Sequence, residues 1–300
     1  MRALIISGGG SKGAFAGGVA QYLIEELGRD YDLYLGTSTG SLLISHLALK
    51  KPEKVKKVYT SVNQDSIFSN RPFLVRRKHG YDQISINHFK VLRNFLRGKK
   101  TFGESKNLHK LILETLTREE FYRLKGMKKD IVVTVSNISM NETEFKSIKD
   151  FDYEEFCEWI WISCNYTPFM SLVRKDGCEY ADGGYGSMIP IEEAIKRGAT
   201  EIDAIILKTE VTHFNRLPSK NVFALITNLF GFMLDRIERQ NIQIGKFMAN
   251  NKDVIINFYY TPTVLTTNSL IFDEEKMTRW WESGFSYARH KNEELNQIEP

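Results

Sequence analysis

The sequence predicts an α/β fold with a mainly parallel central sheet, and three observations predict it. Ala3-Leu4-Ile5-Ile6 is a short, continuous apolar run ending in glycines, as a strand buried on both faces reads. From Ala14 to Leu27, Phe15, Val19, Tyr22, Leu23 and Leu27 fall on one helical face, and Gly28 suits a helix stop. A second apolar run, Leu33-Tyr34-Leu35, precedes a Leu- and Ala-rich helical segment from Ser41 to Lys50. Strand, helix, strand, helix is the opening of a parallel sheet with helices on its faces.

The remaining elements follow in order. Pro52 to Val62 reads as a helix, as do Leu108 to Leu116 and Glu119 to Leu124. Ile131-Val132-Val133-Thr134-Val135 is β-branched throughout and reads as a strand. Glu144 to Ser147 suits a short strand, and Tyr153 to Ser163 a helix carrying Trp159 and Trp161. Cys178-Glu179-Tyr180-Ala181 leads as a strand into Asp182-Gly183-Gly184. Pro190 to Gly198 has proline at its start and glycine at its end, the asymmetry of a short helix. Ala204 to Leu207 and Val254 to Tyr260 read as strands. Val222 to Asn250 reads as one long or broken helix. Asp273 to Leu295 is a closing amphipathic helix with an acidic start.

Composition bounds the function. The chain has 300 residues, is 42% hydrophobic and 26% charged, and carries a formal charge of +4, so disorder, collagen and a global polyanion-binding surface are excluded. Three cysteines without paired spacing suit reduced thiols and no structural zinc. The apolar N-terminus reaches Gly8 too soon for a signal peptide. The longest apolar stretch, Val222 to Leu234, is 13 residues, against the roughly 20 a membrane span needs. The expected location is cytoplasmic, with membrane contact at most peripheral. Val222 to Leu234 is apolar nearly all round and is read as buried core, with interfacial contact as the alternative. Between Arg71 and Lys100 stand nine Lys/Arg against one acid, Asp82, with Phe73, Tyr81, Phe89 and Phe95 interleaved. That pattern fits a solvated helical insertion or a patch for anionic lipid head groups. No nucleic-acid module accompanies it.

Three stretches carry chemistry. Gly36-Thr37-Ser38-Thr39-Gly40 is a G-x-S-x-G elbow at a strand end, which lifts a serine onto a tight turn between two residues without side chains. Taken alone, such a pentapeptide is also an ordinary small-residue turn. Gly8-Gly9-Gly10-Ser11-Lys12-Gly13 can aim backbone N–H groups at an anion from a helix N-terminus. It also fits G-x-G-x-x-G, but the acids Asp30 and Asp32 precede the second strand instead of ending it, which argues against a dinucleotide. Lys12 is followed by Gly13, so it is not a P-loop. Asp182-Gly183-Gly184 reads alone as a turn. For a base, His213 and His290 lie late enough to complete a triad, yet neither has a distinctive setting, and the elbow follows only one βα unit.

In this order the three stretches resemble the patatin-like phospholipase family. There a G-G-G-x-[KR]-G loop supplies the oxyanion hole, G-x-S-x-G the nucleophile and D-G-[GA] the other half of a Ser–Asp dyad. All three are complete here, and Cys164 to Met170, with Pro168, is similar to the proline-containing stretch that precedes the family's aspartate. The resemblance spans about residues 1 to 210, and Met188 stands where the family often has Asn. It implies one three-layer α/β/α domain, with a helical cap insertion over residues 66–125 and a C-terminal extension over 211–300 packed on it. It implies Ser38 and Asp182 as catalytic residues and Gly8, Gly9, Gly10 and Gly13 as the oxyanion loop. Gly36, Gly40, Gly183 and Gly184 would support the motifs, with Lys12 and Thr39 near the substrate. Lys12 has a second reading, a solvated residue at the helix start. No cofactor or metal is implied. The implied reaction is hydrolysis of fatty-acyl esters of phospholipids or lysophospholipids. An acyltransferase using the same acyl-enzyme and a non-catalytic membrane-binding scaffold are the alternatives.

Overall fold

The computed structural model describes residues 1–78, 81–211, 219 and 222–298. In chain order the elements are β1 (Arg2–Ile6), α1 (Gly13–Glu25), β2 (Leu33–Thr37), α2 (Thr39–Ala48), α3 (Pro52–Ser61), α4 (Gln64–Ile67), β3 (Phe73–Lys78) and β4 (Tyr81–Ile86). There follow α5 (His88–Leu96), α6 (Lys106–Thr115), α7 (Arg118–Gly126), β5 (Asp130–Asn137), β6 (Glu142–Ser147), α8 (Tyr153–Ser163), β7 (Val173–Lys175) and β8 (Cys178–Asp182). The chain continues through α9 (Ile191–Lys196), β9 (Glu201–Ile206), α10 (Val222–Asn251), β10 (Ile255–Tyr260) and α11 (Glu274–Ile298).

Eight strands form the main sheet, in the order β10-β9-β1-β2-β5-β8-β7, with β6 also on β5. The run from β10 to β5 is parallel, and β6, β7 and β8 are antiparallel additions. Alternation along the strands sorts their side chains to two faces. Leu4, Ile6, Tyr34, Val133 and Val135 join one core with residues of α1, α2, α8 and α11. Ala3, Ile5, Leu33, Leu35, Val132 and Ile202 join the other with residues of α9 and α10. Both faces are therefore covered, which gives the expected three layers and explains why β1 and β2 read as continuous apolar runs.

Three features depart from the sequence reading. The segment 66–125 carries the helices α5, α6 and α7, but β3 and β4 form an antiparallel hairpin within it. The C-terminal third does more than pack on the domain, since β10 extends the parallel sheet and α11 lies along α1. The buried-core reading of Val222 to Leu234 is overturned. Leu225, Leu229, Phe232 and Met233 are exposed on one side of α10, because only its opposite side meets the molecule.

Trp281 of α11 locks α1, the helix that carries the glycine loop. Its ring is fully buried against Gly17, and its Nε1 donates to Gln21 Oε1 at 2.7 Å. Trp281→Ala is expected to cost about 3–5 kcal/mol by the cavity it leaves, measured as a lowered denaturation midpoint.

Candidate active site

Ser38 sits between the last residue of β2 and the first of α2, with φ 52 and ψ −120. That is strained backbone for a residue with a side chain, as the sharp strand-to-helix turn of a serine elbow requires. The flanking glycines are steric requirements. A Cβ at Gly40 would lie 2.2 Å from Ile6 O, and one at Gly36 would lie 2.5 Å from Gly40 C. Ser38 Oγ donates to Asp182 Oδ2 at 2.7 Å, so the structure brings together the two residues that the motifs singled out. Asp182 ends β8 and is buried, and its Oδ1 accepts from Gly184 N at 2.8 Å. Gly183 lies tight against the Thr134 backbone. Burial pushes the Asp182 carboxyl up to about 7, against the Ser38 and Gly184 hydrogen bonds that favour the carboxylate.

The glycine loop opens beside this pair. Gly8, Gly9, Gly10, Ser38 and Asp182 line one cavity. The N–H groups of the loop are unequally committed. Gly8 N donates to Met188 O at 3.2 Å, Ser11 N to Ser269 O at 2.8 Å, and Gly13 N within the turn. Gly9 and Gly10 have no backbone N–H partner among the described residues. Of the four glycines that the resemblance implied for the oxyanion loop, Gly9 and Gly10 alone keep an N–H without a partner among the described residues. Gly10 needs to be glycine for two reasons: its φ is 56, and a Cβ there would lie 2.3 Å from Ser269 O. Gly13 gives close approach, since it packs on Thr39 and Tyr59.

Lys12 is not a solvated residue at the helix start. It is partly buried, and its Nζ donates to Leu207 O at 2.6 Å, tying the loop to the end of β9. Burial pulls its pKa down, with Glu238 acting against that. Glu238 and Asp235 of α10 also pair with Lys208, at 3.4 and 2.8 Å, so charges of both signs line this end of the cavity. Lys12→Met is expected to destabilise the chain by about 1–3 kcal/mol by leaving the Leu207 carbonyl unpaired, read from urea midpoints. Thr39 is buried, and its hydroxyl is bonded to Tyr59 OH, which itself donates to Gly10 O at 2.6 Å.

Several residues of the site carried no separate signal in the sequence. Ser163 Oγ accepts from Ser38 N at 2.9 Å, Cys164 Sγ donates to Ser38 O at 3.1 Å, and Asn165 O accepts from Asp182 N at 3.0 Å. Three consecutive residues thereby fix both members of the Ser38–Asp182 pair. Two of them fall in the proline-containing stretch already singled out, but nothing in their residue types marks the contacts. Met188 is held at Asn241 of α10, whose Oδ1 accepts from Met188 N at 2.8 Å. An amide side chain thus meets this turn from another element. His213 lies outside the described residues. His290 is exposed near the end of α11 and does not line the cavity.

The cavity measures about 1010 Å³. Away from Ser38, its wall includes apolar side chains of six helices, among them Leu42, Val55, Ile67, Leu108, Ile160 and Leu234. Among the described residues, no group of three or more His, Cys, Asp or Glu is placed to hold a metal ion.

Residues 4–195 match the family model described as patatin-like phospholipase, nearly two thirds of the chain. This chain belongs to the patatin-like phospholipase family. A search of the curated proteins finds no match. Among solved structures, the patatin-like chain is similar to VipD from Legionella pneumophila, with 14% identity and a TM-score of 0.49. The match covers 96% of the patatin-like chain and 66% of VipD, so the chain spans about two thirds of VipD's length.

Proposed function

We propose that this chain is a serine lipid acyl hydrolase that cleaves fatty-acyl esters of phospholipids or lysophospholipids. The observation that carries the reading is the 2.7 Å hydrogen bond from Ser38 Oγ to a buried carboxylate, at the wall of a largely apolar cavity. Ser38 Oγ attacks the ester carbonyl while its proton passes to Asp182 Oδ2. Gly9 and Gly10 N–H groups hold the oxyanion that forms, helped by the α1 dipole. The proton on Asp182 passes to the leaving alcohol oxygen as the ester bond breaks, leaving the acyl group on Ser38. Water then loses its proton to Asp182 as it attacks the acyl-enzyme. Collapse of that intermediate frees the fatty acid and returns the proton to Ser38 Oγ.

An ordinary carboxylate is too weak a base for a serine hydroxyl. A carboxyl raised to about 7 by burial is better matched to neutral pH. The apolar branch of the cavity suits an acyl chain, and the glycine loop offers donors without a competing side chain. The expected result is fatty-acid release from phosphatidylcholine or lysophosphatidylcholine, followed by mass spectrometry. Adding an alcohol acceptor to the same assay separates hydrolysis from acyl transfer, since a transferase would form a new ester in preference to free acid. No release and no transfer from any of these lipids would sink the proposal.

A further inference from the structure

Two helices that contribute to the cavity wall carry exposed apolar faces. On α5, Phe89, Leu92, Phe95 and Leu96 are 79, 57, 44 and 81% exposed, while Val91 and Asn94 face inward. On α10, Leu225, Leu229, Phe232 and Met233 are 48, 53, 64 and 54% exposed. The other side of the same helix supplies Thr227, Asn228, Gly231 and Leu234 to the cavity wall. Ile86 and His88, at the start of α5, line that wall as well. A chain of ring contacts joins the helices: Phe95 to Phe102 at 5.8 Å, Phe102 to Phe169 at 5.5 Å, Phe169 to Tyr166 at 5.4 Å and Tyr166 to Phe230 at 6.5 Å. The start of α5 and the inner side of α10 therefore flank the same cavity that holds Ser38.

The charge on α5 has one sign. Lys90, Arg93 and Arg97 alternate with the exposed apolar residues of α5 and form no ion pair among the described residues. Lys99 and Lys100 are different, being paired with Glu104 and Glu179 at 2.8 and 2.9 Å. Large apolar side chains interleaved with unpaired Lys and Arg match an anionic bilayer, whose head groups take the charges and whose acyl region takes the rings and leucines. Among the described residues, no helix is long and apolar enough to cross a membrane, so contact through this surface is peripheral.

We propose that the outer faces of α5 and the N-terminal half of α10 together dock the protein onto an anionic phospholipid bilayer, with the cavity mouth facing the lipid. Docking goes beyond the hydrolase reading and rests on it only for the purpose of the contact. The test uses the full chain carrying Ser38→Ala, so that vesicles stay intact. Co-sedimentation is measured with vesicles of phosphatidylcholine alone and mixed with phosphatidylserine. The expected result is binding that is stronger with phosphatidylserine and weakened by salt. Leu92→Glu/Leu96→Glu and Leu229→Glu/Phe232→Glu should each lower partitioning at least about tenfold. Lys90→Ala/Arg93→Ala/Arg97→Ala should lower it about 10²-fold on the anionic vesicles, with little change on the neutral ones.

All of these positions except the half-buried Lys90 are exposed, and melting curves verify that the variants fold. In the Ser38 protein, the same Leu92 and Leu96 substitutions should leave turnover of a soluble short-chain ester unchanged while hydrolysis of vesicles falls. Absence of binding to either vesicle, or binding unaffected by these substitutions, would overturn the proposal. So would a dimer that the glutamates split, which would assign the faces to a second copy of the chain. Vesicle binding without any ester turnover would count against the hydrolase reading alone and leave the docking surface standing.

Discussion

Ser38→Ala is expected to lower fatty-acid release by about 10⁴- to 10⁶-fold, because on the proposed mechanism the acyl bond forms on Ser38 Oγ. What remains would come from binding and from the Gly9 and Gly10 donors. A companion variant separates chemistry from backbone strain. Ser38 holds φ 52, where a Cβ is unfavourable and glycine is not. Ser38→Gly should be as inactive as Ser38→Ala yet more stable than wild type, by about 1 kcal/mol. Urea unfolding of the three proteins checks the order. If Ser38→Ala kept wild-type turnover, the nucleophile would be elsewhere. If Ser38→Gly were the least stable of the three, the turn would not be the strained element it is described as.

Asp182→Asn has the second large effect, and it acts in opposite directions on activity and stability. On the proposed mechanism the carboxylate takes a proton in each half-reaction, so the amide should cost about 10²–10⁴-fold in turnover. In the wild type the active form is the ionised one. Turnover should therefore fall as pH drops below about 7, the value to which burial pushes this carboxyl. The same shift sets a stability profile. A carboxyl whose folded pKa exceeds its ordinary 3.8 holds its proton more tightly in the folded chain. Stability contributed by this group is fully present below about 3.8 and is lost as pH rises to about 7. The loss is at most about 4 kcal/mol. Asparagine cannot ionise, can still accept from Gly184, and can donate to Ser38 Oγ. Asp182→Asn should therefore be more stable than wild type at pH 8, by up to that amount, and nearly equal to it at pH 4. Equal midpoints at both pH values would show that Asp182 is not held in a desolvated state. The gain would illustrate how a buried, isolated carboxyl trades stability for reactivity.

The parts of this molecule legible in its sequence are those fixed by local chemistry. Gly36 and Gly40 announce a turn where a strand must become a helix at once, and the glycines of the loop announce close backbone approach at Gly10. β1, β2 and β5 read correctly because strands covered on both faces have to be apolar without interruption. The remainder depends on contacts between distant segments. Tyr59 looks like any aromatic on an amphipathic helix, yet it ties Gly10 to Thr39 across three elements. Ser163 is one serine at a helix end until folding brings it to the Ser38 amide. Residues 222–234 failed for a clearer reason. A helix apolar nearly all round has no periodicity to tell its covered side from its open one, and only the position of the cavity beneath it decides.

The central claim is that Ser38 is activated by Asp182 alone, as a pair. The measurement that meets it most directly is the rate at which a fluorophosphonate modifies Ser38 as pH is varied, with the adduct located by peptide mass spectrometry. The account predicts a single adduct on Ser38, formed at a rate that rises through a midpoint near pH 7 and drops at least about 10²-fold in Asp182→Asn. An unmodified Ser38, or an adduct formed at the same rate at every pH with or without the Asp182 carboxyl, would contradict it.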